Sequence, residues 1–321
     1  MKKRIFVIIA ICSVLLSACT VNSHSEKKKT YTVGICQFVQ HDSLDAATQG
    51  FKDALTDKFG DKVIFEEQNG QGDYAVCTSA INGLVSKNVD LILANSTAAL
   101  QAAATCTTKI PILGTSVTDY SAALQLNDFD GTLDGNISGV SDLAPLDQQA
   151  SIIQELFPNA KKVGLLYCSS EPNSQYQIEI VEKELEKLGF ASETYTFADS
   201  IDISSITIRA ASECDVIYVP TDNAVASNAE LIANICIPDK IPVIAGDEST
   251  CKICGVASFA ISYYELGYTT GKMAVRILAE GEDISKMPIE YTSSFTKKYN
   301  PDICKQLGIE VPEDYIPLDS K

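Results

Sequence analysis

Asp119, Glu171, Asp222 and Asp247 sit in four separate polar stretches, each following an apolar run of strand length. Carboxylates gathered from different loops can neutralise an ammonium group. Stretches of the same kind supply Gln37, Thr97, Thr118, Asn173, Ser174 and Asn223, whose amides and hydroxyls can orient a polar ligand. None of these stretches contains Lys or Arg, which leaves a phosphorylated ligand without a cation to meet. Helix N-termini expected near Ser96 and Ser174 can take a carboxylate. A small zwitterion fits this set of groups. Part of the polarity has a plainer cause, because Ser, Asp and Asn are ordinary caps where a strand turns into a helix.

Covalent chemistry is poorly served. Beyond the first 30 residues His41 is the only histidine, and no GxSxG elbow, HExxH pair, P-loop or GxGxxG follows a strand-like run. Asp222 and Asp247 are the one carboxylate pair that could serve a hydrolase, and no enzymatic activity is expected. Nine cysteines lie beyond residue 30, most of them inside apolar runs, so they read as small buried hydrophobes. Cys251 and Cys254 have CxxC spacing, which could be redox-active or half a zinc site, but no second CxxC or CxxH completes a tetrahedron. His24 stands alone in a polar run and is no better as a ligand. The expectation is therefore no metal and no cofactor.

The elements that must position the polar groups recur along the chain. Strand-like runs at 31–38, 62–68, 89–94 and 110–115 are followed by others at 161–168, 192–197, 214–220 and 241–246, so their starts are offset by 125 to 131 residues. Between them lie helical stripes. Leu44, Ala47, Phe51, Leu55 and Phe59 form one, with Ser43 as the expected cap. Ile178, Val181, Leu185 and Leu188 form another, opened by Ser174 and stopped by Gly189. Alternating strands and helices, with strands as apolar as 89–94, imply parallel sheets covered on both faces. The fold expected is α/β, with two doubly wound parallel-sheet lobes. In such sheets ligands bind beyond the carboxyl ends of the strands, where the polar stretches fall. A further strand at 255–260, a helix at 263–280 closed by Gly281 and a short run at 288–295 cross back between lobes. The first crossing is expected near 142–147, where Pro145 interrupts the pattern. Lobe 1 thus comprises 31–144 with about 261–288, and lobe 2 comprises 145–260 with about 289–321.

Residues 1–18 read as a secretion signal: Lys2, Lys3 and Arg4 precede an apolar run from Ile5 to Leu16 that is too short to span a bilayer. Leu16-Ser17-Ala18-Cys19 resembles the bacterial lipobox, which makes Cys19 a lipidation site and residues 19–30 a polar tether. The body is then held at the outer face of a cell membrane. Losing the three basic residues of the signal takes the formal charge from −17 to −20, which excludes a nucleic-acid partner.

From Tyr31 almost to its end the chain resembles the substrate-binding lipoproteins of ABC importers in the tryptophan/tyrosine-type group. The matching stretches are VGICQFVQHDSLDAATQGFKDAL at 33–55, NGQGD at 69–73, IPILGTSVTDY at 110–120, SEPNS at 170–174, IYVPTDN at 217–223 and IPVIAGDEST at 241–250. The resemblance implies a type I periplasmic-binding-protein fold, with two lobes joined by a three-strand hinge. It also implies an aromatic amino acid as ligand, delivery to an ABC permease with its ATPase, and a monomer. Carried over loop by loop, it puts Gln37, Thr97, Thr118 and Asp119 of one lobe against Glu171, Asn173, Ser174, Asp222, Asn223 and Asp247 of the other. Phe38 and Tyr120 are expected beside the ligand side chain or in the core. Asn95-Ser96-Thr97 departs from the Ala-Thr-Pro of the group, and Gln40 replaces a common acidic residue. A receptor lipoprotein that presents its ligand to a signalling partner, or a binder of another polar solute, is the alternative reading.

Overall fold

The computed structural model of the chain describes residues 30–292 and 294–319. The expected secretion signal, the expected lipidation site Cys19 and the expected tether up to Lys29 lie outside the described residues. The first half alternates β1 (Tyr31–Gln37), α1 (Asp42–Phe59), β2 (Val63–Asn69), α2 (Tyr74–Ser86), β3 (Leu91–Asn95), α3 (Thr97–Cys106), β4 (Ile112–Val117), α4 (Tyr120–Leu124) and β5 (Ile137–Ser141). The second half repeats the alternation through α5 (Leu146–Leu156), β6 (Lys162–Cys168), α6 (Pro172–Leu188), β7 (Ala191–Phe197), α7 (Ile203–Glu213), β8 (Val216–Val219), α8 (Asn223–Ser227), α9 (Ala229–Cys236), β9 (Val243–Ala245), α10 (Glu248–Cys254) and β10 (Ala257–Ala260). The closing elements are α11 (Tyr263–Val275), β11 (Glu290–Tyr291), β12 (Thr296–Tyr299), α12 (Pro301–Leu307) and β13 (Ile316–Pro317).

Two sheets result. The first has the order β11-β5-β4-β3-β1-β2 and is parallel throughout. The second has the order β13-β12-β10-β9-β8-β6-β7, with the β10–β12 pair antiparallel. Alternate residues of each strand point to opposite faces. In lobe 1, Leu91 and Leu93 pack toward Phe51 of α1 and Met273 of α11, while Ile92 and Ala94 pack toward Ile81 of α2 and Leu100 of α3. Each sheet is therefore buried on both sides, as the uninterrupted apolar runs require. Helices α1 and α11 approach so closely that a Cβ at Gly267 would lie 1.9 Å from the Ala47 carbonyl oxygen.

Three connections pass between the sheets, at 142–145, at 261–262 and between β11 and β12. The first lies where Pro145 suggested. The last falls later than the expected boundary at 288–289, because β11 pairs with β5 in the first sheet before the chain returns to the second. Strand β5 has no counterpart in the sequence reading. It is short, carries Ser138, Gly139 and Ser141, and borrows its apolar character from neighbours in the sheet. Two helix starts also shift. The N-cap of α1 is His41, with Ser43 buried inside the first turn, and the N-cap of α6 is Glu171, with Pro172 in the first turn. Gly189 does end α6, at φ 89° in the left-handed region. The nine cysteines of the described residues are free thiols, eight of them buried and Cys106 half-buried. No helix among the described residues is long and apolar enough to cross a membrane.

Candidate ligand-binding cleft

Strand order reverses between β1 and β3 in the first sheet and between β6 and β8 in the second, and at such a switch point the flanking helices diverge and leave a crevice at the strand ends. The lobe 1 crevice is bordered by Gln37-Phe38 and by Asn95-Ser96, and the lobe 2 crevice by Ser169 and Thr221-Asp222. The two crevices face one another.

On the lobe 1 side several buried polar atoms have no partner. Asn95 Oδ1, Ser96 Oγ, Ser116 Oγ, Asp142 Oδ1 and His41 Nδ1 make up five of the eight such side-chain atoms among the described residues. They lie at the carboxyl ends of β3, β4 and β5 and at the start of α1. A buried polar group left unpaired costs about 1 to 3 kcal/mol, so five around the strand ends of one lobe mark a surface arranged for something other than folding. The backbone tells the same story. Ser96 has φ 108° and Ser116 has φ 55°, conformations that a residue with a Cβ adopts at a cost of about 1 to 3 kcal/mol each. Ser96 precedes α3 without capping it, so the first amides of that helix receive no side-chain oxygen.

The lobe 2 side is satisfied from within. Glu171 sits at the N-terminus of α8, where its carboxylate accepts from the backbone amides of Asn223 and Ala224 and from the side-chain amides of Asn173 and Asn223, at 2.7 to 3.1 Å. Asp222 accepts from the Cys168 and Val225 amides and from Ser174 Oγ. Asp247 caps α10 through the Thr250 amide and accepts from the hydroxyls of Thr250 and Ser249. Burial, with the charge of Glu171 beside it, pushes the Asp222 carboxyl up to about 8. Asp142 differs from all of these. Its Oδ2 accepts from Tyr263 Oη at 2.8 Å, while Oδ1 is buried and unpaired. Burial raises its carboxyl to about 6 against the opposing hydrogen bond of Tyr263 and the nearby Thr118 hydroxyl, and the charge of Asp247 adds to the rise.

Two spaces lie between the lobes. The inner one, about 20 Å³, is bounded by Ser116, Thr118, Asp142, Asp222, Asp247 and Tyr263 among others. It is the size of one water, or of one ammonium group. The outer one, about 570 Å³, opens to solvent and is lined by Phe38, Val39, Tyr74, Ala98, Pro172 and Ala224 with polar groups between them. Asn173 and Asn223 line both.

Of the residues expected at the ligand, Thr118, Asn173, Asp222, Asn223, Asp247 and Glu171 thus border the cleft, and Thr97 begins α3 beside it. Three do not. Gln37 spends its amide inside lobe 1, donating to Asp45 and Val39 and accepting from Thr48. Ser174 is fully buried against Asp222. Asp119 caps α4 through the Ala122 amide and Ser121 hydroxyl, and it meets Tyr176 of α6 in the other lobe. Tyr120 belongs to the lobe 1 core, with its hydroxyl on the Val140 carbonyl, whereas Phe38 lines the outer space. Asp142 was missed because it follows the unrecognised strand β5 and so looked like linker. Recognising 137–141 as a strand would have drawn attention to the acid at its carboxyl end.

The tyrosine-binding protein of Clostridioides difficile is 33% identical over 297 residues, which cover 92% of this chain and 86% of that protein. The ABC domain from Streptococcus pneumonia, solved in complex with L-Trp, is 33% identical with a TM-score of 0.85, covering 89% of this chain and 97% of that one. The ligand-free, open structure of a substrate-binding protein with adhesive properties from Clostridium difficile is 35% identical with a TM-score of 0.70, covering 91% and 100%. At nearly equal identity the lobes here therefore superpose better on the liganded relative than on the open one. The architecture is the type I periplasmic-binding-protein fold, made for binding rather than for catalysis. Since the family model described as ABC transporter substrate binding protein also matches residues 32–318, nearly the whole described body, the chain belongs to the ABC transporter substrate-binding protein family.

Proposed function

We propose that this solute-binding protein is lipid-anchored at Cys19 on the outer face of a cell membrane, captures an aromatic amino acid between its lobes, and delivers it to an ABC permease and ATPase. The observation that carries the ligand class is the set of unpaired buried polar atoms of His41, Ser116 and Asp142, three residues that border the inner space of the cleft. A water-sized space beside a free carboxylate oxygen suits an α-ammonium, which would meet Asp142 and the Ser116 and Thr118 hydroxyls. The uncapped N-terminus of α3, with the unpaired Ser96 hydroxyl, suits the α-carboxylate. The outer space then receives the side chain among Phe38, Val39, Tyr74, Pro172 and Ala224. The relatives that bear the names of tyrosine and tryptophan complexes support the same class.

The chain contains no tryptophan, so emission from added L-Trp reports its own binding without protein background. Saturable enhancement with L-Trp, or a calorimetric isotherm with L-Tyr, is the expected result. Folded, ligand-stripped protein that binds no free amino acid would overturn the ligand class. The anchor is tested separately, by mass spectrometry of the membrane-bound N-terminus and by Cys19→Ser, which is expected to release the protein from the membrane.

A further inference from the structure

We infer that the lobes carry their own latch, a contact between Ser43 of α1 and Asp247 and Ser249 at the start of α10 that favours closure before any ligand arrives. The three residues come from opposite lobes and are buried, at 5%, 2% and 9% exposure. Ser43 Oγ lies 2.7 Å from Ser249 Oγ and 3.1 Å from Asp247 Oδ1, and Ser249 Oγ lies 2.7 Å from the same Oδ1. Two hydroxyl protons serve these three short distances. The two shortest are satisfied by a relay in which Ser43 donates to Ser249 and Ser249 donates to the carboxylate. A second interlobe contact, His41 Nε2 to Asn223 Oδ1 at 3.3 Å, flanks the first.

The position of the latch gives it a second effect. Ser43 and Tyr263 line both the inner ligand space and a separate groove of about 400 Å³ on the other side. The Ser43 relay and the Tyr263–Asp142 hydrogen bond therefore form the wall that keeps these two spaces apart. Closure by the relay completes the wall.

The relay acts on the open–closed equilibrium, not on ligand contacts. Removing the Ser43 hydroxyl leaves Asp247 Oδ1 with Ser249 Oγ and the Thr250 amide, so Ser43→Ala strands no charge and its cost falls on the lobe–lobe contact. A hydrogen bond into a carboxylate relay is worth on the order of tenfold to a hundredfold in an equilibrium constant. Apparent affinity scales with the fraction of molecules in the competent arrangement. Ser43 is thus a positioning residue for capture.

The inference rests on the two-lobe binding reading but not on the identity of the ligand, and its test needs none. Small-angle scattering of ligand-stripped protein should give a compact wild type. Ser43→Ala and Ser249→Ala should each be measurably more expanded, and the double variant no more expanded than the worse single, because the relay works as a unit. Thermal unfolding checks that each variant is folded. Where L-Trp binds, its dissociation should quicken about tenfold or more in Ser43→Ala, with association unchanged. A ligand-free wild type that is already open, or folded variants as compact as wild type, would overturn the latch. Failure of every amino acid to bind would instead strike the ligand class and leave the scattering result standing.

Discussion

Asp142→Asn separates the binding role of this carboxylate from its effect on folding, because the two have opposite signs. The side chain is buried, and its carboxyl is raised from 3.8 to about 6. At 1.36 kcal/mol per unit, keeping it ionised at pH 7 destabilises the ligand-free fold by about 3 kcal/mol. Asparagine relieves that cost and can still accept the Tyr263 hydroxyl bond made at 2.8 Å. The variant should therefore melt higher than wild type without ligand, by several degrees for a chain of this size. With ligand the order reverses, because losing one partner of a buried ammonium–carboxylate pair costs about 2 to 5 kcal/mol. L-Trp affinity should fall at least about thirtyfold. Fluorescence titration reads the affinity and calorimetry the melting temperature. Affinity within about threefold of wild type, or a ligand-free variant less stable than wild type, would refute the assignment of the ammonium to Asp142.

Acid should act in the same two directions. With folded values near 6 for Asp142 and near 8 for Asp222, both above the ordinary carboxylate range, the ligand-free fold takes up protons as pH drops from about 8 to 5 and gains stability there. Ligand affinity should decline below about pH 6, where an ammonium must displace a proton from Asp142. Calorimetric titrations at several pH values check both signs. Gly267→Ala should destabilise by about 3 kcal/mol in chemical denaturation, because its Cβ would meet the Ala47 backbone oxygen across the α1–α11 contact. Glu171→Ala frees two α8 amides and two asparagine side chains at once. It should lower stability by about 2 kcal/mol and weaken ligand binding as well, measured by the same pair of assays.

Strand and helix order was legible because each element carries its own period, and the buried parallel strands are apolar enough to stand out. β5 escaped because a strand held between two neighbours needs little apolar character of its own. The carboxylates at strand ends were legible as a group, but their roles were not. Asp222, Asp247 and Asp119 have the sequence context of helix caps, and each does cap a helix. Only the hydrogen-bond count around each oxygen distinguishes a carboxylate used up by the fold from one left for a ligand, and that count depends on partners as far away as Tyr263 is from Asp142.

Sequence alone determined the two-lobe α/β architecture, the absence of a catalytic set, and a cleft rich in acids and hydroxyls and poor in bases, since all three are properties of local pattern and composition. Tertiary structure decided which acid stays free. It also decided which serines meet across the lobes and how the space between them divides, because those depend on residues brought together over separations of 121 to 206 positions.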